Sequence, residues 1–136
     1  MANNLAVRFR VDFGSRCSVG AGKIELLEGI ARTGSLSQAA RDMRMSYRRA
    51  WLLLADMNIS FDHPVTHASV GGRGGGGVVL TVFGSRLVAG YRQLESSLLP
   101  LADTYLEDFG RHIKIGAPQR PIKSASIRRK SASRQS

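Results

Sequence analysis

With one cysteine, Cys17, the chain of 136 residues cannot close an internal disulfide, and it has no CxxC pair to hold zinc. Long apolar runs are missing too. Stretches such as 51–55 and 78–80 fall far short of the roughly 20 residues that a membrane helix needs. The N-terminus lacks the basic-then-apolar order of a signal peptide, so the expected location is cytoplasmic, with no membrane partner. Catalytic constellations are equally scarce. His63, His67 and His112 have no evident serine, cysteine or carboxylate relay and read as structural or surface residues, so no enzyme, catalytic residue, cofactor or metal is expected. Acidic residues are absent from 118–136, where Arg120, Lys123, Arg128, Arg129, Lys130 and Arg134 stand.

What is present is basic. Lys and Arg number 20 against 10 Asp and Glu, a formal net charge of +10, which makes a polyanion the natural partner. Outside the tail there are 14 basic against 10 acidic residues, so the body carries +4. A basic tail is also compatible with a solvated extension that has no specific partner. A hydrophobic content of 43% with 22% charged residues is that of a folding chain, and the length suits one domain with one core.

Residues 5–13 alternate strictly, with Leu5, Val7, Phe9, Val11 and Phe13 on one face, which predicts a half-buried strand. Between Gly22 and Gly34, Ile24, Leu27 and Ile30/Ala31 recur at helical spacing; Glu25 falls in the first turn, and Gly34 is placed to end the helix. Ser35 and Gln38 fit a capping box for a short second helix. Ser46 is a good N-cap for a third, running to about Asn58, whose Ala50, Leu53, Leu54 and Met57 form an inner stripe. Ala40 and Met45 fall where a helical pair packs closely. Residues 64–70, the glycine run 71–77 and Val78-Val79-Leu80 predict a hairpin. From Thr81 a long helix carries Leu87, Tyr91, Leu94, Leu98, Leu101 and Tyr105 in a heptad-like seam, with a kink or break expected at Pro100. The seam suits either a dimer surface or the same subunit's core. Organisation is therefore expected as a domain over 1–116 and a basic, disordered tail over 117–136.

Two short helices joined by a tight turn allow the second to enter the major groove while the first braces it. Opposite the inner stripe of the third helix lie Arg48, Leu52 and Ala55, flanked by Tyr47, Arg49 and Trp51. Arg48 and Arg49 offer guanidinium forks to guanine edges or phosphates, and Tyr47 can bond a phosphate or stack on sugar. Trp51 is a candidate contact, but reads more readily as peripheral core. Residues 72–77 formally satisfy GxGxxG, yet extended residues follow where a nucleotide cradle needs a helix, and no P-loop lysine is present. Arg73 among glycines suits a thin wing that approaches phosphates or the minor groove; a solvent-exposed turn is the alternative.

The segments Gly34-Ser35-Leu36-Ser37-Gln38-Ala39-Ala40, Met45-Ser46-Tyr47-Arg48-Arg49-Ala50-Trp51 and Met57-Asn58, the glycine run, and Leu80-Thr81 with Gly84 together resemble the N-terminal winged-helix domain of the ModE family, the molybdate-responsive regulators. The resemblance covers roughly residues 5–99; the helix-turn-helix part alone is also similar to the broader LysR-type group. It implies an α+β winged helix-turn-helix with an N-terminal strand, a glycine-rich hairpin wing and a long C-terminal helix. It further implies a homodimeric, sequence-specific regulator of transcription that binds double-stranded DNA. The chain would lack its own molybdate-sensing domain, leaving effector sensing to a separate protein. The implied DNA contacts are Ser35, Ser37, Gln38, Ser46, Tyr47, Arg48, Arg49, Trp51, Gly72, Arg73 and Gly74. In the turn between the helices, where such motifs place glycine, Arg44 is expected to take up a left-handed conformation. Two other classes fit the residues less well: a nonspecific architectural protein held by phosphate contacts and the tail, and an adaptor that engages protein through the glycine loop and the amphipathic helix.

Overall fold

The computed structural model describes residues 5–70 and 77–119, together with the backbone of 127–128. The alternating N-terminal segment is extended as predicted, but in two pieces, β1 (Ala6–Val7) and β2 (Arg10–Phe13). Leu5, Val7, Phe9 and Val11 are half-buried, while Phe13, at the end of the series, is exposed. The chain then turns back into β3 (Cys17–Gly20), antiparallel to β2, with Val11 opposite Val19. This hairpin is not in the sequence reading. Gly14 makes the turn possible, since its φ of 62° lies where side-chain-bearing residues are strained.

Helix α1 (Ala21–Thr33) begins earlier than expected, so Glu25 lies beyond the first turn. It ends where expected, at Gly34 with φ 72°, whose N–H bonds the Ile30 carbonyl. Ile24, Leu26, Leu27 and Ile30 are fully buried, whereas Ala31 faces solvent. In α2 (Leu36–Asp42), Ser35 Oγ accepts from the Gln38 N–H. The reciprocal half of the capping box is not made, because the Gln38 side chain donates to Asp42 and accepts from Arg41 instead. Ala39 packs against Gly29 of α1 so closely that a Cβ on Gly29 would lie 3.0 Å from the Ala39 Cβ. Small residues thus set the α1–α2 approach. Arg44, in the turn that follows, has φ 57°, the left-handed conformation expected of it.

Helix α3 (Tyr47–Ser60) is capped by Ser46 Oγ, which accepts from the Arg49 N–H. Ala50, Leu54 and Met57 are buried, as the inner stripe predicts, and Leu53 is partly so. Strands β4 (Thr66–Ser69) and β5 (Gly77–Leu80) pair antiparallel in the register Thr66 to Leu80, Ser69 to Gly77. Helix α4 (Val82–Gly110) starts at Thr81, whose hydroxyl accepts from the Gly84 N–H and donates to the Pro64 carbonyl. Gly84 has no room for a side chain, since a Cβ would come within 2.1 Å of the Val65 carbonyl oxygen. The 29 residues of α4 run through Pro100 without the break that proline predicts. Pro100 sits on the exposed side, where water can take the hydrogen-bonding role of its missing N–H.

The core has two joined parts. One lies among α1, α2, α3 and the β4–β5 base; the other joins β3 and α1 to Tyr91 of α4. The Tyr91 ring stacks on Phe9 at 4.4 Å, and its hydroxyl donates to the Phe9 carbonyl. A two-residue strand β6 (Ile127–Arg128) pairs antiparallel with β1, within the stretch where composition predicts a disordered tail. The architecture is α+β, a winged helix with a long C-terminal helix, as expected.

Candidate nucleic-acid interface

Capping and packing together orient α3. Ser46 fixes its first turn, the buried Ala50, Leu54 and Met57 fix its rotation, and the opposite face is left to solvent. Tyr47, Arg48, Arg49 and Leu52 lie on that exposed side. Neither Arg48 nor Arg49 forms an ion pair or a side-chain hydrogen bond with any described residue, and no acidic residue occurs between Asp42 and Asp56. Arg44 is likewise exposed and unpaired. The patch therefore keeps its positive charge uncompensated.

Trp51 overturns the reading of it as peripheral core. It is 52% exposed and lines an open cleft of about 320 Å³ with Ser35, Leu36, Ser37, Tyr47, Leu54, Gly77 and Val78. The cleft brings Ser35 and Ser37 of the α2 start, Tyr47 and Trp51 of α3, and the hairpin base into one surface. Ser35 Oγ is engaged as the α2 cap and lies 3.2 Å from Ser37 Oγ, and the Gln38 side chain is held within α2 by Arg41 and Asp42. Gly72, Arg73 and Gly74 lie outside the described residues, but the hairpin that carries them is placed. The Val78 N–H donates to the Gly34 carbonyl at 3.1 Å, and a Cβ on Gly77 would lie 2.8 Å from that same oxygen. Gly77 and Val78 were not among the sequence candidates; nothing local marks them, because their partner is more than 40 positions away.

Away from this face several charged groups are paired. Arg92 of α4 donates to both carboxylate oxygens of Glu28 on α1, at 2.8 and 2.6 Å, and to Glu95 one turn further on, at 2.8 and 3.0 Å. The bonds to Glu28, and then those to Glu95, hold the Arg92 guanidinium protonated more firmly than usual against the opposing effect of burial. Burial raises the pKa of neighbouring Glu25, an effect that Arg92 partly offsets. Lys23 similarly donates to Asp56 of α3 at 2.6 Å and to the Ser18 carbonyl. His63 and His67 stand four apart, a spacing that holds metal on a helix, but they occupy a bend and a strand. His63 bonds Asp62 and stacks on Phe83. Among the described residues no cluster of three His, Cys, Asp or Glu could hold a metal, and no helix is long and apolar enough to cross a membrane.

The seam of α4 divides. Leu87 and Tyr91 pack inward, whereas Leu94, Leu101 and Tyr105 are exposed, together with Leu106 and Phe109.

No family model matches the chain. It is 36% identical over 131 residues to the molybdenum transport protein ModE of Azotobacter vinelandii, covering 93% of this chain and 48% of that protein. It is 45% identical over 69 residues to the DNA-binding transcriptional dual regulator ModE of Escherichia coli, covering 51% and 26% respectively. It is also 41% identical over 87 residues to the molybdenum-pterin-binding protein MopB of Rhodobacter capsulatus, covering 64% and 32%. The chain thus spans about half or less of the length of these relatives, which are regulators and molybdenum-binding proteins. The wider likeness to LysR-type proteins finds no support in these matches. Over the span it shares with them, the chain is similar to the ModE proteins and to the molybdenum-pterin-binding protein alike.

Proposed function

We propose that this chain is a sequence-specific DNA-binding unit of a transcription regulator, with α3 as the helix that enters the major groove and the β4–β5 hairpin as a wing beside it. The observation that carries this reading is the unpaired exposure of Arg48 and Arg49 on the first turns of a capped helix, adjoining a cleft that ends at the hairpin base. The N-terminal residues of a recognition helix reach base edges, and a guanidinium that spends no bonds within the protein is free to make two to guanine. Tyr47, Ser35 and Ser37 then serve phosphate and sugar, with Gln38 at the start of the bracing helix. Arg73, flanked by Gly72 and Gly74, approaches the backbone or the minor groove.

The exposed apolar half of α4 supports a homodimer, in which half-sites would lie about one helical turn, roughly 34–36 Å, apart. Selection of bound duplexes from a random library at physiological salt tests the reading. A two-fold related consensus is expected, with Arg48→Ala relaxing it at one base pair by about 1–3 kcal/mol. An unenriched pool, with binding lost on removal of residues 119–136, would instead identify an architectural protein held by its tail.

A further inference from the structure

The outer face of α3 is not uniformly basic. Arg48, Leu52, Ala55 and Ile59 follow one another at helical intervals of four, three and four residues, and so share a single row pointing away from the core. Leu52 is 49% exposed and Ile59 80%. A leucine half in water one turn beyond an unpaired arginine has no packing duty to explain it: the core is filled by Ala50, Leu54 and Met57 on the opposite side. Trp51 is set apart from this row, since it lines the cleft toward the hairpin base with Tyr47.

From this geometry we infer that Leu52 is a specificity-determining residue that reads the C5-methyl group of a thymine within two base pairs of the one read by Arg48. The inference rests on the DNA-binding reading above. The major groove presents one apolar group, the thymine methyl, and an aliphatic side chain is the complement to it. Leu52 lies about 6 Å along the helix axis from Arg48, at 1.5 Å per residue. That is on the order of two base-pair steps at 3.4 Å each. The surrounding charge selects the occupant. Arg48 and Arg49, and Arg44 in the preceding turn, form no ion pair with any described residue, and the sequence has no acidic residue between Asp42 and Asp56, so the face suits a polyanion that also bears a methyl group. Ile59 lies at the far end of α3, some 10 Å beyond Leu52 at the same rise, outside the N-terminal part of a docked helix.

The probe is the duplex that the full chain selects from a random library, with each thymine replaced singly by deoxyuridine, which differs only in lacking the methyl. At a thymine within two base pairs of the position relaxed by Arg48→Ala, the replacement is expected to weaken binding about four-fold, the equivalent of burying one methyl-sized group at ~0.8 kcal/mol. Leu52→Ala should bind the thymine and deoxyuridine duplexes equally while keeping the preference set by Arg48. Because Leu52 is half exposed and the other change is in the DNA, loss of folding does not enter the comparison. Equal binding of both duplexes by the unaltered chain, with the Arg48 effect intact, would overturn the role of Leu52 and leave the DNA-binding reading standing. A sensitivity that persists undiminished in Leu52→Ala would also overturn it. Failure to select any duplex would remove both.

Discussion

Arg92 and Arg48 carry the same guanidinium and are put to opposite uses. Arg92 is fixed by Glu28 and Glu95, so its charge is spent joining α4 to α1. Arg48 is exposed and forms no ion pair with any described residue, so within that set its charge is uncompensated. A guanidinium with all its donors engaged adds rigidity, while one with none engaged costs little to leave in water. Position in the fold, not residue type, separates an arginine held by carboxylates from one left exposed.

The sharpest way to break this comparison is at Arg92. Arg92→Met leaves Glu95, whose side chain is 8% exposed, without its counter-charge. Breaking such a pair is expected to cost about 3 kcal/mol, read as a lower urea midpoint. Arg48→Ala should do the reverse, moving base discrimination while changing the stability measured by urea unfolding by less than about 0.5 kcal/mol. Equal stability losses in the two variants would show that Arg48 is also a fold residue. Arg44 sharpens the contrast further, because it is unpaired but its backbone is strained at φ 57°. Arg44→Gly should relieve that strain and raise stability by up to about 1 kcal/mol, while removing one exposed positive charge beside α3 and so, if α3 meets DNA as proposed, flattening the salt dependence of duplex binding.

The smallest effect concerns Glu25, whose pKa burial raises. A carboxyl that holds its proton more tightly when folded contributes stability below its unfolded pKa, and that contribution is lost as pH rises through the folded value. Above the raised pKa the ionised group is disfavoured in the fold, so Glu25→Gln should be slightly more stable than the parent at neutral pH. The gain should vanish in acid; chemical denaturation across pH 3–8 measures it.

The capping and rotation of α3 are legible in the sequence because their signals are local. Ser46 as cap, the Ala50, Leu54 and Met57 stripe, and Gly34 as terminator each act within a turn or two of helix. The strain at Arg44 was legible for the same reason. Trp51 was misjudged on its apolar ring alone; its position four residues after the exposed Tyr47, rather than beside Ala50 and Leu54, puts it on the outer side. The β2–β3 hairpin went unseen because Cys17-Ser18-Val19-Gly20 is short and carries little alternation. The Glu28–Arg92–Glu95 cluster was beyond sequence because Glu28 and Arg92 are 64 positions apart, and only the packing of α4 on α1 brings them together. Of the kink or break expected at Pro100, the break does not occur, and the exposed position leaves the carbonyl that loses its N–H partner open to water.

One carbonyl has a reach larger than its size. The Gly34 oxygen that receives the Val78 N–H belongs to the residue closing α1 and preceding the cap of α2, so the hinge of the helical pair and the root of the finger share one rivet. The base of the hairpin is thereby held at a set distance from the start of α2. In the proposed complex, that spacing would make the protein a gauge of groove separation, refusing by calliper fit a duplex too wide or too narrow.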